Sequence, residues 1–106
     1  MKKVEFYKLC KNNNGYFLAK GEGIKKTFEY EGEEIVIYFE KNKNFYECTE
    51  ETTGLFILTG EKIFNKACTR IQEILSSILI VIKTERAKEC ADILSKLKSE
   101  LEGEDE

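Results

Sequence analysis

The stretch from residue 45 to residue 82 constrains the fold of this chain more than any other part of the sequence. Residues 45–49 and 55–59 are rich in aromatic, threonine and aliphatic side chains, as strands are, and the polar residues 50–54 between them are typical of a turn. After Gly60, apolar residues recur at helical spacing. A chain whose strands precede its helices is typical of an α+β domain.

Residues 4–59 are predicted to form an antiparallel sheet of about five strands. The clearest hairpin covers residues 26–40, where Glu31-Gly32 is a two-residue connection that sets Tyr30 opposite Glu33. Period-2 alternation then places apolar side chains on one face of the hairpin. Gly21-Glu22-Gly23 is interpreted as a break between two strands.

Two antiparallel helices are predicted to pack on this sheet, over residues 61–82 and 84–101. Thr84 is the candidate N-cap of the second helix. Residues 78–82 are mostly β-branched, so a buried strand after a shorter first helix stays an alternative. We expect a single domain over residues 1–106, with an acidic tail at 102–106 that frays.

The absence of histidine narrows the chemistry open to this chain. Histidine is the commonest general base and the commonest metal ligand. No Cys-x-x-Cys pair suggests a zinc site, because the cysteines are far apart in the sequence: Cys10, Cys48, Cys68 and Cys90. The sequence therefore predicts a protein that is not an enzyme and that holds no cofactor or metal.

The hydrophobic pattern gives no sign of a membrane segment. The longest apolar runs, at 35–39 and 78–82, are far shorter than the roughly 20 residues that a membrane-spanning helix needs. The first residues lack the apolar core of a signal peptide. We expect a cytoplasmic protein that does not bind membranes.

A surface for a protein partner is predicted from two features. Between residues 29 and 51 there are eight glutamates and only two lysines, a balance that would suit a basic partner. Strands 35–39 and 55–58 are apolar on both sides, and two helices cover only one face of a sheet. The predicted partner-binding residues are Glu29, Glu31, Glu33, Glu34, Glu40, Glu47, Glu50, Glu51, Tyr38, Ile78, Ile80 and Ile82. A homodimer through the helix face or through the uncovered sheet face is an open alternative.

A second hypothesis is binding to single-stranded nucleic acid. Lysines would contact phosphates and aromatic rings would stack on bases. The candidate residues are Lys2, Lys3, Lys25, Lys26, Tyr7, Tyr16 and Phe17. The formal net charge of −3 and the scarcity of arginine make nucleic acid the less favoured partner.

The segment from Phe45 to Leu55, with Thr-Glu-Glu-Thr-Thr-Gly-Leu at its end and Thr59-Gly60-Glu61-Lys62 after it, resembles a strand–turn–strand–helix segment of small uncharacterised proteins of phages and mobile elements. The resemblance covers about a third of the chain. It implies a fold fragment and a genomic setting. In that setting, small acidic proteins include inhibitors of host defence nucleases.

The leading functional hypothesis is therefore a non-enzymatic protein-binding factor, for example an inhibitor of a nucleic-acid-acting host enzyme such as a CRISPR effector. It would use the acidic hairpin surface and an apolar patch. The identity of the target does not follow from the sequence.

Overall fold

The chain folds into a five-stranded antiparallel sheet, in strand order β1-β2-β3-β4-β5, followed by three helices. This computed structural model describes residues 2–104. The strands are β1 (Val4–Asn12), β2 (Gly15–Tyr30), β3 (Glu33–Asn42), β4 (Phe45–Glu50) and β5 (Phe56–Leu58). The helices are α1 (Phe64–Glu73), α2 (Leu75–Ile82) and α3 (Glu85–Glu104). The predicted α+β class, with its sheet before its helices, is confirmed.

Strand β2 runs unbroken for 16 residues, so the predicted break at residues 21–23 is wrong. Its first half pairs with β1 as far as Gly23, and its second half pairs with β3 from Ile24 onward. A β-carbon at Gly23 would lie 2.2 Å from the backbone oxygen of Phe39. The glycine therefore permits a close approach where the strand changes partner, and it does not end the strand.

The hairpin between β2 and β3 has the predicted register. Tyr30 lies opposite Glu33, and Phe28 lies opposite Ile35. Both loop residues have positive φ, 51° at Glu31 and 79° at Gly32. This is the conformation of a type I′ turn, which matches the twist of the strands that it joins.

The predicted helix over residues 61–82 is in fact two helices, α1 and α2. At Ile74 the backbone leaves the helical region (φ −109°, ψ 14°), and its N–H donates to the Ile71 oxygen at 3.1 Å. Residues 78–82 are helical, so the strand alternative does not apply. Thr84 is confirmed as a cap, because its Oγ1 accepts the N–H of Ala87 at 3.2 Å.

The main core lies between one face of the sheet and the first two helices. It consists of buried apolar residues: Phe28, Ile35, Ile37, Phe39, Cys48, Ala67, Ile71, Leu75, Ile78 and Leu79. Helix α3 lies toward the other face, since its buried Leu94 lines a small cavity with Phe6 and Tyr38. The C-terminal helices thus cover both faces and not one, because that second face is also apolar.

The sequence predicted a frayed tail over residues 102–106, but the described part of that segment is helical. Helix α3 continues through residues 102 and 103 to Glu104. Residues 105 and 106 lie outside the part of the chain that the structure describes.

Candidate docking surface

An apolar groove of about 450 Å³ separates helix α2 from strand β5. We call it the α2–β5 groove. Its lining residues are Glu50, Leu55, Phe56, Ile57, Leu58, Ile74, Ser77, Ile78, Val81 and Ile82. Most of these side chains are aliphatic or aromatic, so the groove suits an apolar occupant.

Helix α2 supplies one wall of the groove because its sequence, LSSILIVI, is apolar on more than one side. Leu75, Ile78 and Leu79 turn inward and are buried. Val81 lines the groove and remains 51% exposed, and Ile80 is exposed on a neighbouring side of the helix. Apolar side chains that stay exposed together on a helix are typical of a surface that another polypeptide covers.

Strand β5 supplies the other wall and is the last strand of the sheet. Ile57 points into the core, whereas the alternate residues Phe56 and Leu58 are 50% and 69% exposed. The Leu55 carbonyl accepts the N–H of Glu50 at 2.9 Å, so these two residues form a hydrogen-bonded pair. Hydrogen-bonded and non-hydrogen-bonded pairs alternate along an antiparallel ladder, so the next residue, Phe56, lies opposite Thr49 without a hydrogen bond to it. By the same alternation, the backbone N–H and C=O groups of Phe56 and Leu58 point to the open edge of the sheet.

The buried Glu50 fixes the turn that leads into β5. Its carboxylate is 2% exposed and accepts from the backbone N–H and the hydroxyl of both Thr52 and Thr53, at 2.7–3.0 Å. Gly54 follows with φ 68°. The Thr-Glu-Glu-Thr-Thr-Gly sequence is therefore a structural turn. The prediction that Glu50 binds a partner is wrong, because its side chain is buried and bonded within the turn.

The acidic side chains of the first hairpin cluster at its end, and one of them contacts Lys83, which directly follows the groove residue Ile82. We call Glu29, Glu31, Glu33 and Glu34 the acidic tip; all four are exposed. Glu29 and Glu34 lie directly opposite each other across the two strands. Lys83, at the C-terminal end of α2, binds Glu33 at 2.8 Å, and this is the one salt bridge of the tip within residues 2–104.

The other predicted acidic residues are held by partners within the chain. Glu40 binds Lys8 at 2.8 Å and also accepts the N–H of Glu22. Glu47 accepts from the Asn42 amide. The acidic stretch 29–51 is therefore divided into an exposed tip and a set of carboxylates that bond within the chain. It does not form one continuous acidic surface.

Glu51 belongs to a small network with Tyr38. The Tyr38 hydroxyl donates to Glu51, and Lys25 lies 3.7 Å from the same carboxylate oxygen. Burial of the ring, together with the hydrogen bond and charge of Glu51, raises the pKa of Tyr38 above its ordinary value. Tyr38 also stacks on Phe6 at 4.6 Å between ring centroids. The predicted partner residue Tyr38 is thus a neutral, packed side chain.

The structure brings together only part of the predicted apolar patch. Ile80 is exposed and Ile82 is half-buried, but Ile78 is buried in the core and shows the groove only a small part of its surface. Sequence reasoning missed Phe56, Leu58 and Val81. The signal was available for the first two, since residues 55–58 are apolar on both sides of the strand.

The residues of the nucleic-acid alternative are not gathered on one surface. Lys25 and Lys26 are neighbours in β2 and point to opposite faces, the first toward Glu51 and the second over the ring of Phe64 at 5.9 Å. Phe17 lies beside α3 in a separate shallow cavity with Tyr16. Lys2 and Lys3 precede β1, and Tyr7 lies within it.

The four cysteines are free thiols; Cys48 and Cys90 are buried, and Cys10 and Cys68 are half-buried. Cys48 is completely buried, and burial raises its pKa to about 12, with smaller contributions from Cys68 and Glu47. Burial also raises the pKa of Cys68. Within residues 2–104, no group of three cysteine or carboxylate side chains is arranged to hold a metal ion.

None of the helices over residues 2–104 is both long enough and apolar enough to span a membrane. Comparison of the chain with protein-family models, with curated proteins and with solved structures gives no match. The resemblance to proteins of phages and mobile elements stays a prediction.

Proposed function

We propose that this chain is a cytoplasmic protein-binding factor that acts by docking and not by catalysis. The observation that carries the proposal is the α2–β5 groove, an apolar surface bordered by an edge strand whose outward backbone groups, at Phe56 and Leu58, have no partner within residues 2–104. Groups of this kind are typically completed by another polypeptide. The acidic tip lies at one end of the groove and supplies the electrostatic part of the contact.

The acidic tip favours a basic target. Like charges directly opposite each other in a hairpin destabilise it, and Glu29 and Glu34 are such a pair. A cationic protein surface would relieve their repulsion. Enzymes that act on nucleic acids carry basic channels, so we propose an inhibitor of such an enzyme, for example a CRISPR effector.

The test compares the wild-type chain with a double variant, Glu29→Lys/Glu34→Lys, as bait in lysate of a candidate host. The matched control is Glu89→Lys/Glu100→Lys, which makes the same change of charge at two exposed positions of α3. We expect quantitative mass spectrometry to find a nucleic-acid-acting enzyme bound to the wild type and the control, with at least tenfold less bound to the tip variant. We also expect the captured enzyme to lose activity when the wild-type chain is added.

Capture that is equal for the tip variant and the control would exclude the acidic tip as the contact. A captured enzyme that works at full rate with the chain bound would exclude inhibition. Direct retardation of single-stranded DNA by the purified chain would favour the nucleic-acid hypothesis instead.

A further inference from the structure

We infer that a second copy of this chain occupies the α2–β5 groove, by antiparallel pairing of β5 with β5 of the other copy. The two-fold axis would pass midway between the Ile57 residues of the two copies. The inference rests on the proposed function in one respect, that the groove is a contact for protein. The protein in the groove is then a second copy of this chain. The acidic tips stay free for a different partner.

The backbone of β5 is self-complementary about that axis. In the register centred on Ile57, Phe56 of each copy lies opposite Leu58 of the other. These are the two residues whose N–H and C=O groups point to the open edge. Each Phe56–Leu58 pair exchanges two hydrogen bonds, so the two copies form four in total. Every outward backbone group of this three-residue strand then has a partner.

The side chains of β5 offer no obstacle to this pairing. Natural edge strands are commonly protected by charged residues, proline or bulges. Strand β5 has the sequence Phe-Ile-Leu and contains none of these. Among the described residues, Glu50 is the one charged side chain that lines the groove, and its carboxylate is buried and saturated by Thr52 and Thr53. The described side chains of β5 and of the groove therefore bring no exposed like charges together when two copies meet.

The available area fits a weak dimer. Phe56, Leu58 and Val81 each keep half or more of their area exposed. Together they offer on the order of 300 Å² per copy, at roughly 150–200 Å² for a complete large apolar side chain. The smallest standard interfaces need about 600 Å² per partner. The strand backbone and the half-buried walls of the groove would add to this area. A contact of this modest size is expected to be weak, with a dissociation constant in the micromolar range.

The pairing has a consequence for the acidic tips. Strands β3 and β5 run in the same direction, since each is antiparallel to β4, and the tip lies at the start of β3. Reversal of β5 in the second copy therefore sets the two tips at opposite ends of a continuous ten-stranded sheet. Such a dimer would offer two equivalent acidic surfaces, which permits bivalent docking.

Sedimentation equilibrium of the purified chain tests the inference. We expect a mass of twice 12.3 kDa at high micromolar concentration, and a dissociation constant that changes little with salt. Leu58→Lys should raise the dissociation constant at least about 100-fold, because a lysine ammonium would be buried without a partner. Leu58 is 69% exposed in the single chain, so this variant should keep its fold, which circular dichroism checks.

The control is Phe17→Lys, at an apolar side chain that is 43% exposed beside α3 and outside the groove. We expect it to dimerise like the wild type. Amide exchange read by NMR adds a test of register: the N–H groups of Phe56 and Leu58 should become protected as concentration rises.

A wild-type chain that sediments as a single copy at all concentrations would overturn self-pairing. That result leaves the proposed docking to another protein to its own test in lysate. A dimer that survives Leu58→Lys, or that forms without protection of the Phe56 and Leu58 amides, would also overturn the inference.

Discussion

The two edge strands of the sheet, β1 and β5, differ in how far they are protected from pairing with another polypeptide. Strand β1 has nine residues and carries Glu5, Lys8 and Lys11. Its outer edge is also partly covered, because the N–H of Leu9 donates to the Gly54 oxygen of the β4–β5 turn at 3.3 Å. Strand β5 has three apolar residues, no charge and an open edge. Charge and cover are the usual protection of an edge strand, and only β1 has both.

One short segment produces both outcomes. The carboxylate of Glu50 fixes the turn, and the positive φ of Gly54 brings its carbonyl to β1. The chain then turns back as β5, which lies on the far side of β4 from the rest of the sheet. The turn is therefore specified in detail by its own side chains, whereas the edge that follows it is left for another polypeptide.

The largest expected effect concerns the thiols near these two edges. Cys48 lies opposite Ile57 in the β4–β5 pair, whereas Cys10 is half-buried in β1. A pKa of about 12 in place of 9.0 lowers the thiolate fraction of Cys48 about 1000-fold near neutral pH. Alkylation by iodoacetamide, followed by peptide mass spectrometry, should therefore label Cys10 long before Cys48.

The same shift sets a dependence of stability on pH. The folded pKa of Cys48 lies above its ordinary value of 9.0, so the folded state keeps the proton longer. Its contribution to stability is complete below about pH 9 and is lost as the pH rises toward 12.

Equal labelling of Cys48 and Cys10 at pH 8 would mean that the β4–β5 pair opens readily.

Replacement of Glu50 by glutamine should destabilise the fold by about 3 kcal/mol. The amide has one acceptor oxygen where the carboxylate has two, and four donors from Thr52 and Thr53 depend on them. Urea unfolding measures the loss. Glu34→Gln is the matched control at an exposed position and should change stability by less than about 0.5 kcal/mol. Similar values for the two variants would show that the turn does not depend on its buried carboxylate.

The contact that covers β1 is tested by two glycine variants with matched backbone strain. Gly54 and Gly60 have φ of 68° and 70°, and an alanine at either position should cost about 1 kcal/mol. An added β-carbon at Gly54 would also lie 2.9 Å from Leu9, whereas at Gly60 it would meet no atom of residues 2–104 within 4 Å. Thermal unfolding should show that Gly54→Ala loses about 2 kcal/mol more than Gly60→Ala. A difference near zero would mean that the turn and β1 separate easily.

The smallest expected effect is that of the ion pair between Lys8 and Glu40. The pair is about three-quarters buried, and Glu40 also accepts the N–H of Glu22. Lys8→Met should cost about 1 kcal/mol. Lys83→Met removes the more exposed pair with Glu33 and should cost about 0.3 kcal/mol, again by urea unfolding. If Lys83→Met cost more stability than Lys8→Met, the ion pair of β1 would stabilise the fold less than an exposed ion pair does.

Local patterns in the sequence determined the class of the fold and several of its details. Alternation and the Glu31-Gly32 pair gave the hairpin with its register, and Thr84 gave the start of α3. These features depend on neighbours within a few residues, which a sequence displays directly.

Tertiary structure alone decided which side chains are open. Ile78 is a predicted partner residue, yet it is buried in the core between the sheet and the first two helices. Strand β2 is unbroken because it pairs first with β1 and then with β3. The break at Ile74 and the exposure of Phe56 and Leu58 likewise depend on how α2 and β5 pack. Burial is a property of contacts between residues far apart in the chain, so no local pattern reports it.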